Sequence, residues 1–165
     1  MPKLVVVHDR AIRVMAVIAG CLIVFLMAMI SVDVVARYLF NAPSAWVFEV
    51  TEFTLLYIPF LGMAWLVRRA DGGHVRIDLL IAALSPKKQA FFNCLAAFLA
   101  AIPCGLIGYY AIGATIALYQ RDAATNGLYP MPLHLLVVVI AVGLLMTMIE
   151  FVRKGRQHYK EWQDL

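Results

Sequence analysis

Residues 53–67 read FTLLYIPFLGMAWLV and contain no charged side chain. Glu49 and Glu52 stand just before this run, and after it the chain continues RRADGGHVRID from Arg68 to Asp78. A long apolar run between charged ends is typical of a helix that crosses a membrane, where ionisable groups are rare and usually have a role. This stretch therefore predicts a transmembrane helix with polar groups at both ends.

The composition extends this prediction to the whole chain. Of the 165 residues, 64% are hydrophobic and 15% are charged, and the mean hydropathy is +0.85, well above the values of soluble globular proteins. A helix needs about 20 residues to cross a hydrocarbon core of about 30 Å. We therefore predict an all-α integral membrane protein that forms a single membrane domain over residues 1–165, with four transmembrane helices at about 13–38, 45–67, 90–119 and 128–151.

The basic residues are divided unevenly between the two sides of this arrangement. Of the 14 Lys and Arg, only Arg37 and Arg121 fall on the side that carries the first and third connections. Because cytoplasmic segments of membrane proteins are enriched in Lys and Arg, we expect both termini in the cytoplasm. Contact with anionic lipids explains the net charge of +4, so no nucleic-acid partner is expected.

The second connection contains a further apolar segment. Residues 75–84 read VRIDLLIAAL, which is too short to cross the membrane and carries two charges. This pattern predicts a short amphipathic helix that lies at the cytoplasmic interface.

Polar residues also mark the opposite side of the membrane. Asp33 and Arg37 are four residues apart and can form an ion pair along the first helix. Arg37 can also face Glu49 or Glu52 across the short first connection. Three interpretations stay open for this group: a polar clamp at the interface, a contact site for another protein, and proton coupling by a buried Glu, which the outer position of both glutamates disfavours.

Small residues form a stripe in the third predicted helix. Ala97, Ala101 and Gly105 recur every four residues, so another helix can approach closely along them. A helix of a partner protein and a neighbouring helix of this chain both fit the stripe.

The sequence contains no recognisable catalytic or cofactor motif. It has no HExxH, no glycine-rich phosphate loop and no supported Ser/His/Asp set, and its three cysteines match neither a metal site nor a redox pair. It also lacks the paired broken helices that mark a self-sufficient transporter site. We therefore expect an accessory subunit that is not an enzyme and has no cofactor or metal site of its own.

Several short motifs resemble the small membrane subunit, or DctQ-like subunit, of tripartite ATP-independent periplasmic (TRAP) transporters. The resemblance covers the order, length and polarity of nearly the whole chain. The motifs that carry it are RYLF at 37–40, NAP at 41–43 with Trp46 and Glu49, FLG at 60–62, and HVRID at 74–78.

The resemblance implies a division of labour among three proteins. A large membrane subunit moves the substrate and the coupling sodium ions, a periplasmic binding protein captures the solute, and the small subunit packs beside the large one as a scaffold. It also implies organic acids such as carboxylates as substrates and a location in the bacterial inner (cytoplasmic) membrane. The residues that we expect to contact a partner are Asp33, Arg37, Trp46, Glu49 and Glu52 at the periplasmic side, and His74, Arg76 and Asp78 at the cytoplasmic side.

Two other classes of function remain as alternatives. A small homo-oligomeric efflux protein would exchange protons at Glu49 or Glu52. An integral membrane enzyme would need polar catalytic groups gathered at one leaflet, and the sequence scatters them.

Overall fold

The computed structural model is an assembly of four long helices. It describes residues 2–41, 45–69, 84–127 and 130–164. Each helix is long and apolar enough to cross a membrane, which confirms the predicted all-α fold with four transmembrane helices. Apart from Leu84, the predicted interfacial helix at 75–84 lies outside the described residues. The four helices are α1 (Pro2–Phe40), α2 (Ala45–Arg69), α3 (Pro86–Gln120) and α4 (Leu133–Asp164).

The first and last helices extend well beyond the apolar segments that identified them. Helix α1 has 39 residues and is about 58 Å long at about 1.5 Å per residue, roughly twice the thickness of the hydrocarbon core. Helix α4 begins after Pro130 and Pro132, which disfavour an earlier start, and continues through a charged segment to Asp164. Hydropathy identifies only the part of a helix that favours a lipid environment. Lys, Glu, Arg and Gln are good helix formers in water, so a helix can continue through a charged segment that hydropathy does not detect.

Two of the connections begin with a residue in the left-handed backbone conformation. Asn41 has φ of 49° directly after α1, and Asp122 has φ of 48° just after α3. Asn and Asp adopt this conformation more readily than other non-glycine residues. The α3–α4 connection then closes on itself, because the Thr125 amide donates to the Met131 carbonyl at 2.9 Å and the Met131 amide donates to the Thr125 hydroxyl at 2.9 Å.

The helices pack side by side in the order α1, α2, α4, α3. Helix α4 has the most extensive contacts with α3, it also packs against α2, and α1 packs against α2. We call the end of the assembly that holds Asp9, Arg68 and Glu150 the inner end. We call the end that holds Arg37 and Glu49 the outer end.

Small residues bring the helices close together. Ala97 and Ala101 are buried, and a Cβ atom added to Gly105 would lie 2.6 Å from the sulfur of Met148 on α4. The predicted stripe on α3 therefore packs against α4 of the same chain. A second close approach joins α2 and α4, where a Cβ atom on Gly143 would lie 2.8 Å from the carbonyl carbon of Phe60 and closer still to its oxygen.

Candidate partner interface

An ion pair at the outer end lies along α1. The Nη2 atom of Arg37 donates to Oδ2 of Asp33 at 2.8 Å. Asp33 is buried, while the Arg37 side chain is 58% exposed. The predicted pair along the first helix is therefore present, and its guanidinium remains accessible to another protein.

The first turns of α2 form the second part of the outer end. Trp46 and Glu49 line a cavity of about 350 Å³ with Val50, Phe53 and Met131. Glu49 is half-buried, whereas Trp46 is exposed. The structure thus brings two of the predicted residues together in an open, largely apolar pocket with one carboxylate at its wall.

The α3–α4 connection closes this pocket from the side. A Cβ atom added to Gly127 would lie 2.6 Å from Oε1 of Glu49, so glycine allows the connection to approach the carboxylate. Glu52 shares a helix face with Glu49 by its spacing but is exposed to the surroundings. The two predicted glutamates therefore have different environments in the structure. Glu49 is part of a pocket wall, whereas Glu52 is exposed.

The remaining predicted contact residues follow the second helix in the sequence. His74, Arg76 and Asp78 are outside the described residues. Within the part of the chain that the structure describes, no group of three or more His, Cys, Asp or Glu is placed to hold a metal ion.

A polar cluster at the inner end joins three helices. Nε2 of His8 lies 3.0 Å from Oε1 of Glu150, which connects α1 to α4. Asp9 accepts from Arg68 on α2 at 2.8 Å and from Arg153 on α4 at 2.9 Å. The Glu150 side chain is only 3% exposed, so this is a buried carboxylate with partners on two helices.

No motif in the sequence points to this cluster as a site. From the sequence, Arg68 and Arg153 serve only as markers of orientation. A signal was nevertheless present, because Gly143, Thr147, Glu150 and Lys154 recur at spacings of three and four and share one face of α4. In the structure all four are buried, and the Thr147 hydroxyl donates to the Gly143 carbonyl at 2.7 Å.

The same contacts place both terminal regions of the chain at one end of the assembly. His8 and Asp9 lie near the start of α1, and Glu150 and Arg153 lie in the second half of α4. The start of α3 is there too, because the rings of Phe91 and Trp162 lie 6.2 Å apart. An even number of membrane crossings requires this arrangement.

Comparison with known families adds the decisive observation. Residues 26–158 match the family described as tripartite ATP-independent periplasmic transporters, DctQ component. The chain belongs to this family. As a DctQ component it is a small TRAP transporter subunit and not an enzyme, as the sequence motifs predicted. A comparison with individually curated proteins gave no match.

The DctQ family works with a large membrane subunit and a periplasmic binding protein. The matched region contains every predicted contact residue, and it also contains Arg68, Glu150 and Arg153 of the inner cluster. His8 and Asp9 precede it. The polar contacts between α1 and α4 therefore join a residue inside the DctQ match to one outside it.

Proposed function

We propose that this DctQ component is the accessory scaffold of a sodium-coupled transporter of organic acids such as carboxylates. In this proposal the chain packs against the large transport subunit, which moves the substrate and the sodium ions, and a periplasmic binding protein delivers the solute. The observation that carries the proposal is the family match over residues 26–158.

In the proposed arrangement the protein lies in the inner membrane. Both termini, together with the inner end of the helix assembly, are in the cytoplasm. The distribution of basic residues supports this orientation, since Arg68, Arg69, Arg153 and Lys154 lie at the inner end, whereas among the described Lys and Arg residues only Arg37 and Arg121 lie at the outer end. The indole of Trp65 lies under the Arg69 guanidinium at 4.9 Å, as expected for an aromatic residue at the membrane interface.

The outer end has the features of a contact surface for another protein. Phe48 is 74% exposed and Trp46 is 47% exposed. The exposed carboxylate of Glu52 lies one turn further along α2, and the guanidinium of Arg37 lies near the end of α1 at the same end of the assembly. Aromatic and arginine side chains supply much of the energy of protein interfaces. We therefore assign the predicted periplasmic contacts to this surface.

The first experiment is a pull-down in mild detergent, with the chain expressed from its own locus and tagged at the C-terminus. Mass spectrometry should identify one large multi-span membrane protein that is recovered in near-equal amount. Recovery of the tagged chain alone, as a stable oligomer, would contradict the proposal and favour a small efflux protein instead.

A second experiment tests the outer surface. In cells that express the complete transporter, Glu52→Gln should lower the sodium-dependent uptake of an organic acid severalfold while leaving membrane insertion unchanged. Glu161→Gln is the matched control, because Glu161 is an exposed carboxylate near the end of α4. Equal uptake by both variants would show that Glu52 is not part of the contact surface.

A further inference from the structure

We infer that the inner end holds the phosphate group of an anionic phospholipid in a cavity between α2 and α4. The cavity has a volume of about 210 Å³ and is lined by Arg68, Glu150, Arg153, Lys154 and Gln157. Its wall carries three cationic side chains against one carboxylate, and one net positive charge remains when Asp9, the partner of Arg68 and Arg153, is also counted, which favours an anion.

An unsatisfied donor supports a ligand at this place. The Nη1 atom of Arg68 is buried and has no hydrogen-bond partner among the described residues. Buried charged donors are costly without a partner, and native proteins rarely leave them so. Guanidinium groups bind phosphate oxygens with good geometry, so a phosphate in this cavity would satisfy Arg68 and meet Lys154, which is 8% exposed.

The position of the cavity along the membrane normal fits a lipid headgroup. In α2 the charge-free run ends at Val67, directly before Arg68, and in α4 the apolar run ends directly before Glu150. Both helices therefore change from apolar to charged at the level of the cavity. Basic pockets between transmembrane helices at this level are typical sites for anionic lipid headgroups.

A neighbouring groove provides a place for the lipid tail. This second cavity has a volume of about 650 Å³, lies between α1 and α4, and shares Arg153 and Gln157 with the first. Apolar side chains, among them Val5, Ile149 and Val152, form much of its wall. A polar cavity that adjoins an apolar groove suits an amphiphile better than a free inorganic anion.

The test is native mass spectrometry of the full chain after removal of copurified lipid. Phosphatidylglycerol and phosphatidylcholine with identical acyl chains are added in turn, and the fraction of lipid-bound protein is measured. Wild-type protein should retain phosphatidylglycerol at least about tenfold more tightly than phosphatidylcholine, because only the first carries net negative charge. Equal retention of the two lipids would overturn the inference, whatever the behaviour of any variant.

Substitutions then locate the binding site. Arg68→Gln and Lys154→Gln should each weaken phosphatidylglycerol binding about tenfold or more, as expected for the loss of a hydrogen bond to a charged group. Lys88→Gln is the matched control, since it removes one exposed charge at the start of α3 and leaves the cavity intact. Equal weakening by all three substitutions would place the lipid elsewhere and overturn the inference.

Two further outcomes separate the lipid from other anions. If inorganic phosphate raises the melting temperature of the chain while phosphatidylglycerol does not, the cavity binds a free anion and the lipid assignment is wrong. If Arg68→Gln abolishes recovery of the large membrane partner but leaves lipid retention unchanged, the cavity receives an acidic side chain of that partner, which also overturns the inference.

Discussion

Replacing Gly143 with alanine should destabilise the contact between α2 and α4. The added Cβ atom would lie 2.8 Å from the carbonyl carbon and 2.9 Å from the Cβ of Phe60, and closer still to the carbonyl oxygen. Two of these three atoms belong to the backbone of α2, so no side-chain rotation can relieve the contact. The two helices must move apart.

The magnitude follows from the distances. Restoring normal van der Waals separation requires a shift of roughly 1 Å, and a gap of that size forfeits about a quarter to a half of the dispersion energy of each contact it opens. Overpacking of this kind costs about 1–3 kcal/mol. Alanine also favours the helix over glycine by about 1 kcal/mol, which partly offsets the cost.

A matched control removes this offset. Gly113 is exposed about two turns before the end of α3, and a Cβ atom there would meet no other atom within 4 Å. Gly113→Ala therefore gains the helix preference without the steric cost. The free energy of unfolding of Gly143→Ala should be lower than that of Gly113→Ala by about 1–3 kcal/mol, the steric cost alone.

The assay is unfolding in mixed micelles by titration with SDS. The buried thiol of Cys104 on α3 reports unfolding through its reaction with a maleimide, in a background where Cys21 and Cys94 are replaced by serine. Helix content measured by circular dichroism provides a second probe. If Gly143→Ala is as stable as Gly113→Ala, the close approach of α2 and α4 at this glycine is refuted.

Two further predictions concern the polar contacts. Glu150→Ala should lower the free energy of unfolding by about 1–3 kcal/mol because it removes the buried partner of His8 and one of the two acidic partners of Arg153. Glu161→Ala should change it by less than about 1 kcal/mol because the Glu161 carboxylate is largely exposed. Equal effects of the two substitutions would show that the burial of Glu150 adds nothing to the stability of the protein. Gly127→Ala should displace only the carboxylate of Glu49, so the free energy of unfolding should change by about 1 kcal/mol or less. Recovery of the large partner in a pull-down should nevertheless fall. Full recovery would show that the pocket is not part of the partner contact.

The sequence predicts the four helices because each contains an apolar run of membrane-spanning length. It also predicts the pair of Asp33 and Arg37, since the two residues are neighbours on one helix face. These features depend on local spacing alone. The extension of α4 to Asp164 could not be read from hydropathy, because a charged helix in water has no apolar signal.

The inner cluster could not be assembled from the sequence because its partners are distant along the chain. His8 and Glu150 are 142 positions apart, and Asp9 and Arg153 are 144 apart. Counting charges on each side of a membrane shows that these residues share a side but not which of them meet. The regular spacing of Thr147, Glu150 and Lys154 on α4 does indicate that a polar face turns inward.

The cluster also explains how α1 obtains a defined position. Apolar helices in lipid gain little from burying one another, so the charge-free middle of α1, residues 14–32, allows the helix to slide or rotate against its neighbour at low cost. His8 and Asp9 are adjacent in sequence, yet one contacts α4 and the other contacts both α2 and α4. A displacement of α1 by one turn, about 5.4 Å, would break all of these contacts together. The polar residues at the inner end therefore select one register for α1, and that register fixes where the ion pair of Asp33 and Arg37 stands at the outer end.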